Sequence, residues 1–192
     1  MQAYNKSELE NYFLAEEAKK LYQKKFLSKE QLQMIIAQLV QLKSNPNIFF
    51  RIGFFFLGSF LISTIISAFG LILFPLISEQ YQIIFFFYAI VAYIGLEVLV
   101  NMKFFRHGLD DAFLLTSQIS FAIGIGILTE AVLPVLITML VLGVFFAIRF
   151  INTISALMAF IGLVGIFFNL IVEHDVMPKF YLSFVGLILA IL

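Results

Sequence analysis

The chain changes character once, near residue 48. Residues 1–47 mix apolar and polar positions at helical spacing, and from Phe49 onward apolar residues run almost without a break. In the first part, Leu32, Ile35, Ile36 and Leu39 fall at i, i+3, i+4 and i+7, the stripe of one buried helix face. Leu9, Tyr12, Phe13, Leu21 and Tyr22 mark an earlier helix. Ser7 with Glu10, and Ser28 with Gln31, have the spacing of capping boxes, so a helix is expected to start at each. Glu16 and Lys20 stand one turn apart in the order that favours a surface pair. Ser44-Asn45-Pro46-Asn47 reads as a linker. The pattern predicts an amphipathic helical hairpin and linker over 1–47. Two such helices bury little area alone and are expected to pack on each other, on a membrane face or on a protein partner.

From Phe49 to Ile77 the single charge is Arg51, at the leading edge. About 20 apolar residues cross a ~30 Å hydrocarbon core, so this run is long enough to span a bilayer. Further runs predict helices, giving spans near 52–76, 83–102, 112–128, 131–148, 153–172 and 180–192. Their short connections force antiparallel neighbours. The expected fold class is all-α: a polytopic transmembrane helical bundle of about six helices over 48–192, preceded by the amphipathic hairpin. The third span is brief and carries Thr116, Ser117, Gln118 and Ser120, which suits the inside of a bundle better than lipid. The last run, Phe180 to Leu192, is too short to cross a membrane, so the chain is expected to be the front portion of a longer protein.

Composition agrees with the pattern. The chain is 62% hydrophobic and 12% charged, with mean hydropathy +1.04. A soluble domain is about 45–50% apolar and about 25% charged. Net charge is zero, which argues against a nucleic-acid partner. With no Cys, disulfides, thiolate metal sites and thiol catalysis are excluded. Of the 12 Lys and Arg, all but Lys179 lie before Arg51, at Arg51, or in the predicted connections near Lys103, Arg106 and Arg149. By the positive-inside rule the N-terminus is expected in the cytoplasm, with the bundle in a bacterial inner (plasma) membrane.

Few residues offer chemistry. Glu97 is the carboxylate inside a span, and Arg51 sits at comparable depth, so the two are expected to form an intramembrane ion pair; Arg106 is the other available partner. Arg106, His107, Asp110 and Asp111 crowd one cytoplasmic loop, a candidate metal or phosphate site. One His with two adjacent carboxylates is a thin donor set, and the acids are equally explained by Asp110 capping the third span and Asp111 favouring its positive end. Small residues form three stripes: Ser59, Ser63 and Ser67; Thr116, Ser120 and Gly124; Ser155, Ala159 and Gly162. Such stripes are expected to be helix-packing faces rather than a polar pathway. Nucleophile-elbow, zinc-protease, P-loop and dinucleotide motifs are absent, so no enzyme activity and no cofactor or metal are expected.

The segment LYQKKFLSKEQLQMI, the approach Arg51-Ile-Gly53 to the first span and the basic loop running Gly108-Leu-Asp-Asp-Ala112 resemble an uncharacterised family of bacterial predicted multi-pass membrane proteins with a cytosolic N-terminal helical region. The likeness covers residues 10–115, and the Trp common after that family's first span is missing. The resemblance implies further spans beyond those seen here and carries over no catalytic residue. The expected function is a membrane scaffold or sensor whose cytoplasmic hairpin docks a partner. The alternative is part of a small-solute or ion transporter or channel. Oligomeric state is not readable from the sequence.

Overall fold

A computed structural model describes residues 3–39, 42–44, 47–73 and 80–174. Among them are seven helices: α1 (Lys6–Gln23), α2 (Lys29–Gln38), α3 (Ile48–Leu73), α4 (Tyr81–Asn101), α5 (Leu109–Thr129), α6 (Val132–Phe150) and α7 (Thr153–His174). The structure is all-helical, and α3 to α7 are each long and apolar enough to cross a membrane. That is the build of a multi-pass membrane protein. The run 180–192 lies outside the described residues.

The caps show where local chemistry decides a boundary. Ser28 and Gln31 form the expected capping box, with Gln31 N donating to Ser28 Oγ at 3.2 Å and Ser28 N donating to Gln31 Oε1 at 2.9 Å. The other box does not form. Asn5 caps α1, its Oδ1 accepting from Ser7 N at 3.2 Å, so Ser7 falls inside the first turn. Asn is among the best capping residues and is met first. Glu16 likewise takes a different partner from the expected Lys20, accepting from Tyr12 Oη at 2.9 Å.

The polar third span, α5, is the hub of the bundle. It packs against α3, α4, α6 and α7, and Asp110, Asp111, Ser117, Gln118 and Ser120 on it are all buried. A helix surrounded by other helices can carry groups that lipid would not solvate. The outer helices turn bulky side chains outward instead, as Phe56, Phe60 and Val141 do, and those faces are apolar enough for hydrocarbon. Between α6 and α7 the backbones nearly touch. A Cβ on Gly143 would come within 2.8 Å of Ala159 Cα, and one on Gly162 within 2.8 Å of Leu136 O. This is the close approach that small residues permit where no hydrophobic effect drives helices together.

The N-terminal helices are not a separate appendage. Tyr4, Leu9, Tyr12 and Leu42 share one core with Leu96, Val100, Phe105, Leu114, Phe146 and Phe150, which closes the end of the bundle where α4 and α6 finish. Tyr4 and Tyr12 meet the Phe105 ring edge-on at 5.0 and 5.1 Å. Polar ties fix the register. Ala3 N donates to Arg149 O at 2.8 Å, Tyr4 Oη to Phe104 O at 2.9 Å, and Lys103 Nζ lies 2.7 Å from Glu8 Oε1. Beyond α2, Lys43 N donates to Lys103 O at 2.8 Å and Phe105 N to Lys43 O at 3.0 Å, a one-rung parallel bridge. These contacts place Lys103, Arg106 and Arg149 at the same end as the lysine-rich N-terminus. α2 itself buries no residue.

Candidate functional site

The polar chemistry gathers at that basic end, where three helices begin and two finish. Arg51, in the first turn of α3, donates through Nε (2.8 Å) and Nη2 (2.6 Å) to Asp111 Oδ2. Asn152, in the α6–α7 turn, donates through Nδ2 to Asp111 Oδ1 at 2.6 Å. Its own Oδ1 accepts from Ile154 N (2.8 Å) and Ser155 N (3.1 Å), capping α7. Asp111 is buried, so one carboxylate joins α3, α5 and α7. Deeper in the bundle, Gln118 Nε2 donates to Ser155 Oγ at 2.9 Å and Ser117 Oγ donates to Ala89 O at 3.0 Å.

Glu97 belongs to a second cluster. Arg149 donates to Glu97 Oε1 from Nη2 at 2.6 Å and from Nε at 3.1 Å, and Tyr93 Oη donates to the same oxygen at 2.7 Å. The expected pair of Arg51 with Glu97 is therefore corrected, and so is the pairing of Glu97 with Arg106. Arg51 and Glu97 lie at similar depth, but α3 packs chiefly on α5, which brings Arg51 to the first turn of α5 rather than to α4. Arg149, as the last-turn cation of α6, was readable as a partner for Glu97 because both stand close to the same membrane edge. Asn152 gave no signal beyond its place in a short turn.

This correction is testable by charge exchange. Glu97→Arg and Arg149→Glu each lower the yield of folded protein in membranes by several-fold, because each sets two like charges together at a half-buried site. The double exchange restores most of it. Equal yields from the double and the worse single variant would refute the pairing.

The loop residues Arg106, His107, Asp110 and Asp111 do not converge on one point. Asp110 Oδ1 accepts from His107 N and Gly108 N, both at 2.9 Å, so it braces the loop entering α5 rather than the first turn of its own helix. Gly108, at φ 106°, is the N-cap residue, and a Cβ there would collide with Arg51 O. The His107 ring lies 4.3 Å from Phe54 and 4.8 Å from Phe104, and burial pushes its pKa down against the opposing pull of Asp110. Arg106 rests over Phe105 at 5.4 Å. Among the described residues, no three His, Asp or Glu side chains gather as metal ligands. Burial likewise pushes the Tyr4 phenol far up, which keeps it a donor to Phe104 O.

Two of the three stripes sit at interfaces. Ser120 and Ser155 are buried, Thr116 is half-buried, and Gly124 faces the Phe86 ring. Ala159 and Gly162 meet α6. The stripe on α3 is corrected: Ser59 is half-buried and Ser63 and Ser67 are exposed, whereas Gly58 and Ile62 are the buried positions. A Cβ on Gly58 would meet Ala112 Cβ at 3.0 Å, so the flattest strip of α3 lies one residue round from the serines.

The chain matches no protein-family model, no curated protein and no solved structure.

Proposed function

We propose that the chain is a non-enzymatic membrane scaffold or sensor of the bacterial inner membrane, with its N-terminal helices in the cytoplasm, where α2 offers the surface that a protein partner takes. One observation carries this reading. α1 is bound into the end of the bundle, while α2, tethered beside it through Lys43, buries nothing and keeps Leu32 and Ile35 only half covered. A partner on α2 is thereby coupled to the ends of α4 and α6 through the Tyr4, Tyr12 and Phe105 contacts. The concentration of cations at this end supports the cytoplasmic orientation. The buried polar groups of α5 favour this reading over a transport path. Asp111, Asn152, Ser155 and Gln118 bond one another across helix seams rather than lining a channel.

The test is site-specific crosslinking in intact membranes from a photoreactive residue at Gln33, in the otherwise unaltered chain and with Leu32→Asp plus Ile35→Asp. A discrete protein adduct is expected in the first and is lost in the second, with insertion and yield unchanged. An adduct pattern indifferent to both substitutions would overturn the reading.

A further inference from the structure

We propose that a cleft at the basic end of the bundle, between the starts of α3 and α7 and the α4–α5 loop, binds the phosphate of an anionic phospholipid. The proposal rests on the membrane reading of the fold and not on α2 or its partner. The cleft has a volume of about 440 Å³, and Arg51, Arg106, Asp111 and Thr153 are its polar wall. Two guanidiniums face one carboxylate there. Asp111 already receives two N–H bonds from Arg51 and one from Asn152, so its charge is offset by Arg51. The cleft is left with a surplus of positive charge.

Arg106 is the source of that surplus. Three neighbouring cations at this end have a carboxylate, Arg51 with Asp111, Lys103 with Glu8 and Arg149 with Glu97, while Lys43 lies over the Phe104 ring and does not line the cleft. Among the described residues Arg106 forms no ion pair, and its guanidinium lies against the face of Phe105 while also lining the cleft. A guanidinium fork offers parallel N–H donors that match two oxygens of a phosphate, and the remaining donors of Arg51 lie in the same wall. The positive end of α7 opens at Thr153 and adds to the attraction without constituting a site by itself.

The apolar rim selects a lipid over free phosphate. Ile48 and Ile52 line the cleft and are 58% and 46% exposed, at the start of the outward face of α3. Arg51 stands one turn from the start of that helix, the level at which a headgroup meets hydrocarbon. A phosphodiester seated between Arg51 and Arg106 would lay its acyl chains along Ile48, Ile52 and the residues above them. Inorganic phosphate would leave this rim unused.

The experiment uses the full chain in a neutral detergent and measures the melting temperature with added phosphatidylglycerol, phosphatidylcholine or inorganic phosphate. Phosphatidylglycerol is expected to raise it by several degrees, and the other two much less. Arg106→Gln removes most of the increment, Arg106→Lys removes part of it, and Lys19→Gln, which deletes an exposed cation on α1, removes none. Should Arg106→Gln fail to fold, the Arg106→Lys loss decides the matter, since charge is kept and only the fork is gone. Equal responses to the two lipids, or a phosphatidylglycerol response that survives both Arg106 substitutions, overturn the site. A phosphate response as large as that of the lipid, and dependent on Arg106, overturns the lipid as occupant. A chain that stays soluble without detergent would instead remove the membrane reading itself.

Discussion

Asp111→Ala lowers the stability of the detergent-solubilised bundle by about 3 kcal/mol or more, the largest effect expected of any single polar substitution here. The Asp111 side chain is 3% exposed, and its loss leaves two groups stranded. Arg51 keeps a positive charge at a site where under a third of its side chain reaches solvent, and Asn152 loses the acceptor for its amide while still holding the start of α7. The cost comes from those uncompensated groups more than from the attraction removed. The combination Asp111→Leu with Arg51→Met should therefore recover much of the loss, because it withdraws both charges and fills similar volume. Equilibrium unfolding in mixed micelles measures each variant. A cost under about 1 kcal/mol for Asp111→Ala would mean that water reaches the pair and that α3, α5 and α7 are held by apolar packing alone.

Gly162→Leu separates α6 from α7 and costs about 3 kcal/mol in the same assay. The neighbours that a side chain would meet are backbone atoms, Leu140 N at 2.7 Å and Leu136 O at 2.8 Å, and they cannot rotate away as a side-chain tip could. Relief requires a shift of one helix relative to the other, which would also open the Gly143–Ala159 contact on the same seam. Gly53→Leu is the matched control. Nothing lies within 4 Å of a Cβ at Gly53, and Leu has the better helix propensity, so that variant is neutral or slightly stabilising. Comparable losses at both positions would show that the penalty arises from the chain's handling of a larger residue and not from the seam.

Hydropathy made the spans legible because a membrane helix announces itself residue by residue, with no need to know its neighbours. The expected spans near 83–102 and 153–172 correspond to α4 and α7 within two residues at each end. The polar residues of α5 also showed that this helix would lie inside. Which side chain meets which was harder to read. Arg51 was matched with Glu97 on depth alone, and depth fixes only one coordinate; the choice between Glu97 and Asp111 depends on which helix α3 leans against. The serines of α3 illustrate the same gap. Their spacing is that of a packing strip, yet Gly58, one position away, offers a flatter surface, and a helix turns through about 100° per residue. The docking of α1 could not be read at all, since its apolar face at Leu9 and Tyr12 would serve equally well against α2, a lipid surface or the bundle.

The seat of the first helix has an order of assembly built into it. Its floor is Phe105, which shares one cluster with Phe146 and Phe150, and Ala3 is tied to the carbonyl of Arg149. A ribosome releases the amino terminus long before any of these exist. Until α6 has been threaded into the bilayer, the seat of Tyr4, Leu9 and Tyr12 is incomplete, and that face must wait in water, against α2 or in the hands of a chaperone. Insertion of α6 is thus the step that completes this end of the bundle, and a nascent chain stalled before that point would carry a loose, sticky leader.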